Sequence, residues 1–297
     1  MKNQSHKRYT GLAFILPWII GFLVFQLYPF AMSLLYSFTN FTMLKDMRFI
    51  GLENYRSLLL GDRYFMASVS ATFTYMLIAV PGKLIFALII AMLLNMRMKG
   101  QSIYRTAYYL PSILGGSVSI AALWRYLFNR QGTINLLLGK LGGKPVDWLG
   151  NPSIAPLTIG LLSIWQFGSP MLLFLAGLKQ IPEELYEVSR VDGAGKVRTF
   201  FAITLPLLSP ILFFNFIMQM IMASQEFTAP FIITDGGPLN ATYLYSMMIY
   251  KNGFQYLKMG YASAMSWIWF LLMLALTVLV FKSSVYWTYY EDGGVLS

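Results

Sequence analysis

Long apolar stretches separated by short polar connections set the character of this chain. Residues 11 to 44 contain no Asp, Glu, Lys or Arg, and further apolar segments lie at about 65–95, 104–128, 154–178, 204–226 and 259–281. Each reaches the ~20 residues that a helix needs to cross the hydrocarbon of a bilayer, so the pattern predicts an all-α polytopic membrane protein with six spanning helices. A signal peptide is the competing reading of the first stretch. Its apolar part greatly exceeds the usual ~7–15 residues and no A-x-A cleavage site follows, which favours a span.

Between the fourth and fifth spans the pattern changes. From Lys179 to Pro210 the sequence reads KQIPEELYEVSRVDGAGKVRTFFAITLPLLSP, the most charged window of a chain with 11% charged residues. Pro182 suits the first position of a helix, Glu183, Glu184 and Glu187 favour its positive end, and Asp192-Gly193 is a stop. That makes about two turns. A second short helix is expected after Gly195, with Lys196 and Arg198 on one side, leading through Phe200, Phe201, Ile203 and Leu205 into an apolar run kinked at Pro206 and Pro210. A charged helix-turn-helix is therefore expected between two membrane-grade segments.

Composition narrows the class. With 57% hydrophobic residues, 16% aromatic residues and a mean hydropathy of +0.59, the chain is too apolar for a soluble domain of 297 residues. The formal charge of +10 could serve nucleic-acid binding. Instead the basic residues are spread over the connections with no basic face, so they set topology and meet anionic lipid. Lys2, Lys7 and Arg8, then Arg97, Lys99 and Arg105, then Lys179, Arg190, Lys196 and Arg198 fall on one side of a six-span chain. The opposite loops, near 37–64, 129–153 and 227–258, carry basic residues at lower density. The positive-inside rule makes the first side cytoplasmic, with both termini. There is no cysteine, so disulfides and thiolate metal sites are excluded. No repeat or linker interrupts the chain, which reads as a single membrane domain over 1–297 with its core at about 65–285.

Within the charged loop, Glu187-Val188-Ser189, then Gly193, then Ile203, Leu205 and Pro206, match five of seven fixed positions of E-A-A-x3-G-x9-I-x-L-P. This resembles the EAA motif of the permease subunits of bacterial ABC importers, with Val188 and Ser189 in place of the two alanines. Leu16-Pro17, Tyr28-Pro29 and Phe49-Ile50-Gly51-Leu52-Glu53-Asn54-Tyr55 resemble the start of the sugar-type branch of that family. Thr234-Asp235-Gly236-Gly237-Pro238-Leu239-Asn240-Ala241-Thr242 and Gly260-Tyr261-Ala262-Ser263-Ala264 resemble the outer loop and last-helix start of its permeases for oligosaccharides and polyols, a branch similar to maltose, multiple-sugar and glycerol-phosphate permeases.

The resemblance implies that the loop 179–206 couples to an ATPase subunit through Glu184, Glu187, Ser189, Arg190, Asp192, Gly193 and Ala194. It also implies a second related permease making a heterodimer, two ATPase subunits, and an extracytoplasmic sugar-binding protein meeting an outer loop that contains Gly236, Gly237 and Pro238. The expected location is a bacterial cell membrane. No cofactor and no metal are expected on this chain, ATP and Mg residing on the partner ATPase.

Polar side chains inside spans normally face a bundle interior or a water-filled cavity, because lipid cannot solvate them. In the fifth span Asn215, Gln219, Met222, Ala223 and Glu226 fall on one helical stripe. In the fourth, Ser163, Gln166 and Pro170 share a face beside Trp165. The third supplies Ser112, Gly115, Gly116 and Ser119. Two readings stand for these groups: interhelical hydrogen bonds, or a sugar site lined by Gln166, Trp165, Gln219, Ala223, Glu226, Ser112 and Gly116, with an aromatic ring on a sugar face. Lys83, beside a Pro81-Gly82 break, is expected to pair with a carboxylate or to snorkel.

Other classes fit less well. No G-x-x-x-x-G-K-[ST] occurs, so ATP is not bound by a P-loop here. A membrane-embedded transferase of lipid-linked sugars wants clustered carboxylates, a metal site or a His base, whereas the lone His6 is in the tail and Glu226 is the one acidic residue within a span. An ion-coupled secondary transporter remains the alternative, recognised by transport on an ion gradient without an ATPase.

Overall fold

The computed structural model describes residues 14–42, 47–96 and 99–289, which are helical apart from connections and one isolated bridge between Thr39 and Phe49. Lys2, His6, Lys7, Arg8 and Arg97, with both termini, lie outside the described residues. Four helices are long and apolar enough to cross a membrane: α1 (Phe14–Ser37), α2 (Phe65–Asn95), Lys196–Ile233 and Met259–Ser284. Two bent pairs raise the number to six if each pair is one span. Helix is the form these segments must take, since lipid offers no partner for an unpaired backbone group.

The third and fourth apolar segments are each broken. In the third, α3 (Gln101–Leu114) and α4 (Val118–Leu127) meet at 97°. Gly115 and Gly116 end the first helix, and Ser117 starts the second by accepting a hydrogen bond from the Ile120 amide at 3.3 Å. A short α5 (Thr133–Lys140) follows. In the fourth, α6 (Ala155–Trp165) and α7 (Gly168–Leu178) meet at 50°. Pro170, in the first turn of α7, lacks the amide that would bond the Gln166 carbonyl; the Ser112 hydroxyl supplies that bond at 2.9 Å.

By contrast, the expected break at Pro81-Gly82 is absent. α2 continues through Pro81 for 31 residues, about 46 Å at 1.5 Å per residue. One missing amide bond at Leu77 is tolerated inside a helix held by α6, α7 and the helix from Leu205 to Ser224. Close seams make that packing dense: a Cβ on Gly160 would lie 2.6 Å from Ile78, and one on Gly177 would lie 2.1 Å from Ile211. Small residues at such seams are how membrane helices gain dispersion contact.

The remaining labelled elements are α8 (Glu183–Val191), α9 (Leu205–Ser224), α10 (Thr228–Ile233), α11 (Tyr245–Tyr250) and α12 (Met259–Ser284). The short helix Lys196–Thr199 and a wide turn at Phe200–Thr204 lead into α9.

Contacts divide the described residues into two compact units, Met1–Asp62 with Ile249–Leu271 and Arg63–Met248 with Leu272–Ser297. In the first, the Asn54 amide donates to the carbonyls of Ser37 and Thr39, both at 2.8 Å, and the Tyr55 hydroxyl donates to Ser37 Oγ at 2.7 Å. Those bonds give Asn54-Tyr55 a physical role in clamping the loop to the end of α1. Phe30 packs on Trp267 with ring centroids 4.6 Å apart. The second unit contains the charged loop 179–206, the broken helices and the loop at 234–242.

Candidate functional site

The charged loop folds as the expected helix-turn-helix, and its turn explains Gly193. The Gly193 amide donates to the Arg190 carbonyl at 3.1 Å, the Ala194 amide donates to the Ser189 carbonyl at 2.9 Å, and Gly193 takes a φ of +75°. This pairing closes a helix with a left-handed residue, a conformation that costs other residues roughly 1–2 kcal/mol. The turn is braced from inside. Ser189 is buried and its hydroxyl shares a 2.8 Å hydrogen bond with Thr199; Tyr186 does the same with Thr204 at 3.1 Å.

On the opposite side of α8, Glu184, Glu187, Val188 and Val191 form one exposed face, Val188 at 60% and Val191 at 88%. Of the residues expected at the coupling contact, Glu184 and Glu187 lie on that face, whereas Ser189 points inward as a brace. Arg190, Asp192 and Gly193 are also exposed.

At the two helix breaks a cavity of about 70 Å³ opens, lined in part by Tyr75, Gly115, Gly116, Ser163, Gln166 and Glu226. Gln166 is the central side chain. Its amide donates to the Gly115 carbonyl at 2.9 Å, and it packs so closely that a Cβ on Gly115 would lie 2.2 Å from its Cδ. Tyr75 and Ser163 share a hydrogen bond, and the Glu226 carboxylate acts electrostatically on both Tyr75 and Lys83. Glu226 Oε1 also accepts from the Ala229 amide at 3.0 Å, which holds the carboxylate at the start of α10.

The expected fifth-span stripe is corrected in two respects. α9 ends at Ser224, so Glu226 belongs to the connection to α10 rather than to the helix. Met222 is 60% exposed while Asn215, Gln219 and Ala223 are buried, which takes it off the shared face. Asn215 spends its amide on its own helix, donating to Ile211 at 3.1 Å. Gln166, Gly116 and Glu226 reach the cavity; Gln219 and Ala223 do not line it, Ser112 holds the Gln166 backbone, and Trp165 stands 6.4 Å from Trp124, centroid to centroid. Tyr75 and Thr228 also line the cavity and were not singled out by sequence. Tyr75 gives no periodic signal inside an apolar run, and Thr228 lies past the expected span.

The loop at 234–242, expected on the outer side, is tightly organised. The Thr234 and Thr242 hydroxyls are 2.7 Å apart, Thr242 Oγ1 donates to the Gly237 carbonyl at 2.6 Å, and Gly236 has a φ of +86° with Tyr243 packed against it. Gly236 is buried and Pro238 half-buried, while Leu239 stands 87% exposed at the tip.

These features are those of a polytopic membrane protein with a charged helix-turn-helix between two of its spans, and residues 9–290 match the family described as binding-protein-dependent transport system inner membrane component. The chain belongs to that family. It is 49% identical over 286 residues, covering 95% of this chain and 93% of the relative, to the probable ABC transporter permease protein YesP of Bacillus subtilis. It is 34% identical, with 95% of each chain covered, to the trehalose/maltose transport system permease protein MalF of Thermococcus litoralis. A solved bacterial alginate ABC transporter, in complex with alginate pentasaccharide-bound periplasmic protein, contains a chain of the same fold. The TM-score is 0.80 at 21% identity, with 94% of this chain and 95% of that chain covered. The chain is a non-catalytic membrane subunit of an ABC importer.

Proposed function

We propose that this chain forms half of the translocation pathway of an ATP-driven importer of oligosaccharides or related sugars, and that α8 docks on a separate ATPase subunit. The observation that carries the coupling role is the exposed face of α8, two carboxylates beside two bare valines on a hairpin braced from behind by Ser189–Thr199 and Tyr186–Thr204. Such a face is complete except for a partner. Binding there biases the helix that runs on into α9, and so biases a two-state rocking of the bundle.

Sugar as the substrate class is supported by relatives named for sugar transport and by the cavity's hydroxyl, amide and carboxylate groups, which suit sugar hydroxyls. The cavity's 70 Å³ accommodates about two waters, well below the ~300–1,000 Å³ of a ligand site. The sugar pathway is therefore completed by opening of the two breaks against a second permease. The assembly is a heterodimer with that permease, two ATPase subunits and an extracytoplasmic binding protein meeting the Gly236-Gly237-Pro238 loop, with both termini of this chain cytoplasmic.

Reconstitution tests this reading. Affinity purification followed by mass spectrometry should recover a second permease and an ATPase, and proteoliposomes of that complex should take up an oligosaccharide only with ATP inside and the binding protein outside. Uptake driven by an ion gradient without ATP would sink it.

A further inference from the structure

A second cavity, of about 570 Å³, lies behind α8 and is not explained by transport. Its apolar walls come from Ile89 and Leu93 of α2 and Met96 just past its end, with Leu178 and Phe200; its charged lining groups, among the described residues, are Arg190 and Lys196. Ile89, Leu93 and Met96 are 49%, 50% and 60% exposed, a half-exposed apolar strip along the last turns of α2 and its C-cap. Arg190 and Lys196 are exposed too.

We infer that this pocket binds one anionic phospholipid, an acyl chain lying on the α2 strip and the phosphate held by Arg190 and Lys196. The volume is that of a ligand site. Charge complementarity selects the headgroup: a guanidinium fork and an ammonium suit a phosphate with net negative charge, and a choline would add a third cation beside two. Position selects an amphiphile. α2 ends at Asn95, where its apolar run gives out, so the pocket joins hydrocarbon depth to the basic leaflet surface that attracts anionic lipid. A free phosphate would leave the strip bare, and an acyl chain alone would leave both cations unused.

The pocket face of α8, carrying Tyr186 and Arg190, is opposite the face carrying Glu184, Glu187, Val188 and Val191. A lipid seated there sets how far α8 stands off the bundle. Lipid binding rests on the pocket itself; its effect on coupling rests on the proposed docking role of α8.

The test uses the assembled transporter, equilibrated in mixed micelles with equal phosphatidylglycerol and phosphatidylcholine and read by native mass spectrometry. The wild type should retain one phosphatidylglycerol per copy of this chain in preference to phosphatidylcholine. Lys196→Gln should lower that retention about tenfold or more, the effect of one charge-assisted hydrogen bond. Leu93→Trp should fill the pocket and lower retention of both lipids. Equal retention of the two lipids by the wild type, unchanged retention in Lys196→Gln, displacement of the lipid by inorganic phosphate, or a peptide found in its place would each overturn the inference. Where Leu93→Trp fails to assemble, Lys196→Gln alone decides. Full ATPase stimulation in an assembled Glu187→Lys complex that still retains the lipid would count against α8 docking and leave the lipid site standing.

Discussion

Gln166 shows how a single side chain ties two discontinuities together. Its carbonyl is freed by Pro170 and taken by Ser112, while its amide bonds the Gly115 carbonyl across the other break. Gly115→Ala would place a methyl group 2.2 Å from Gln166 Cδ, whereas a Cβ on Gly116 meets nothing within 4 Å. Gly115→Ala is therefore expected to reduce the amount of assembled complex, and Gly116→Ala to leave it unchanged; immunodetection of the purified complex reads both. Gln166→Ala and Glu226→Ala should each slow uptake several-fold at limiting sugar, since each lost bond is worth about 0.5–1.5 kcal/mol, or about 1.5–3 kcal/mol to a charged group. Gln219→Ala, outside the cavity, should change uptake less. A parallel fall in assembly and uptake would mean that these groups hold helices together rather than meet sugar.

At the scale of the element, the charged hairpin was legible because its signals are local. Pro182, the glutamates and Asp192-Gly193 mark a start and a stop by rules that act within one turn, and the hydrogen bonds at Gly193 obey them. Which way each residue faces was less legible. Ser189 is drawn inward by a hydroxyl ten residues ahead at Thr199, a tertiary bond that spacing alone does not announce. The breaks at Gly115 and Gln166 were hidden for a related reason: hydropathy reports how apolar a segment is and says nothing of direction, so bends of 97° and 50° read as continuous spans. Conversely Pro81 signalled a break that packing on α6, α7 and α9 suppresses. The turn at Gly193 has a consequence of its own. Gly193→Ala should weaken substrate-stimulated ATP hydrolysis through a left-handed penalty of roughly 1–2 kcal/mol, and Gly193→Pro should abolish stimulation while the protein stays in the membrane.

For the whole molecule, apolar length and family membership fix a membrane protein, and the density of Lys and Arg fixes the expected orientation. Accessible cysteines test that orientation without touching the braces. Val191 is 88% exposed on α8, and Asn240 is exposed at the tip of the outer loop. Val191→Cys should label only from the cytoplasmic side and Asn240→Cys only from outside. Labelling of both by an impermeant reagent applied outside would contradict six spans with cytoplasmic termini.

Coupling through α8 is tested most directly by substrate-stimulated ATP hydrolysis in the reconstituted complex with Glu187 reversed. Glu187 stands exposed beside the two bare valines and makes no brace, so Glu187→Lys leaves the hairpin's internal bonds in place and changes only the exposed face of α8. The expected result is normal assembly and basal ATP hydrolysis with stimulation by loaded binding protein lost. Full stimulation in an assembled Glu187→Lys complex would contradict α8 as the contact that transmits ATP hydrolysis to the pathway.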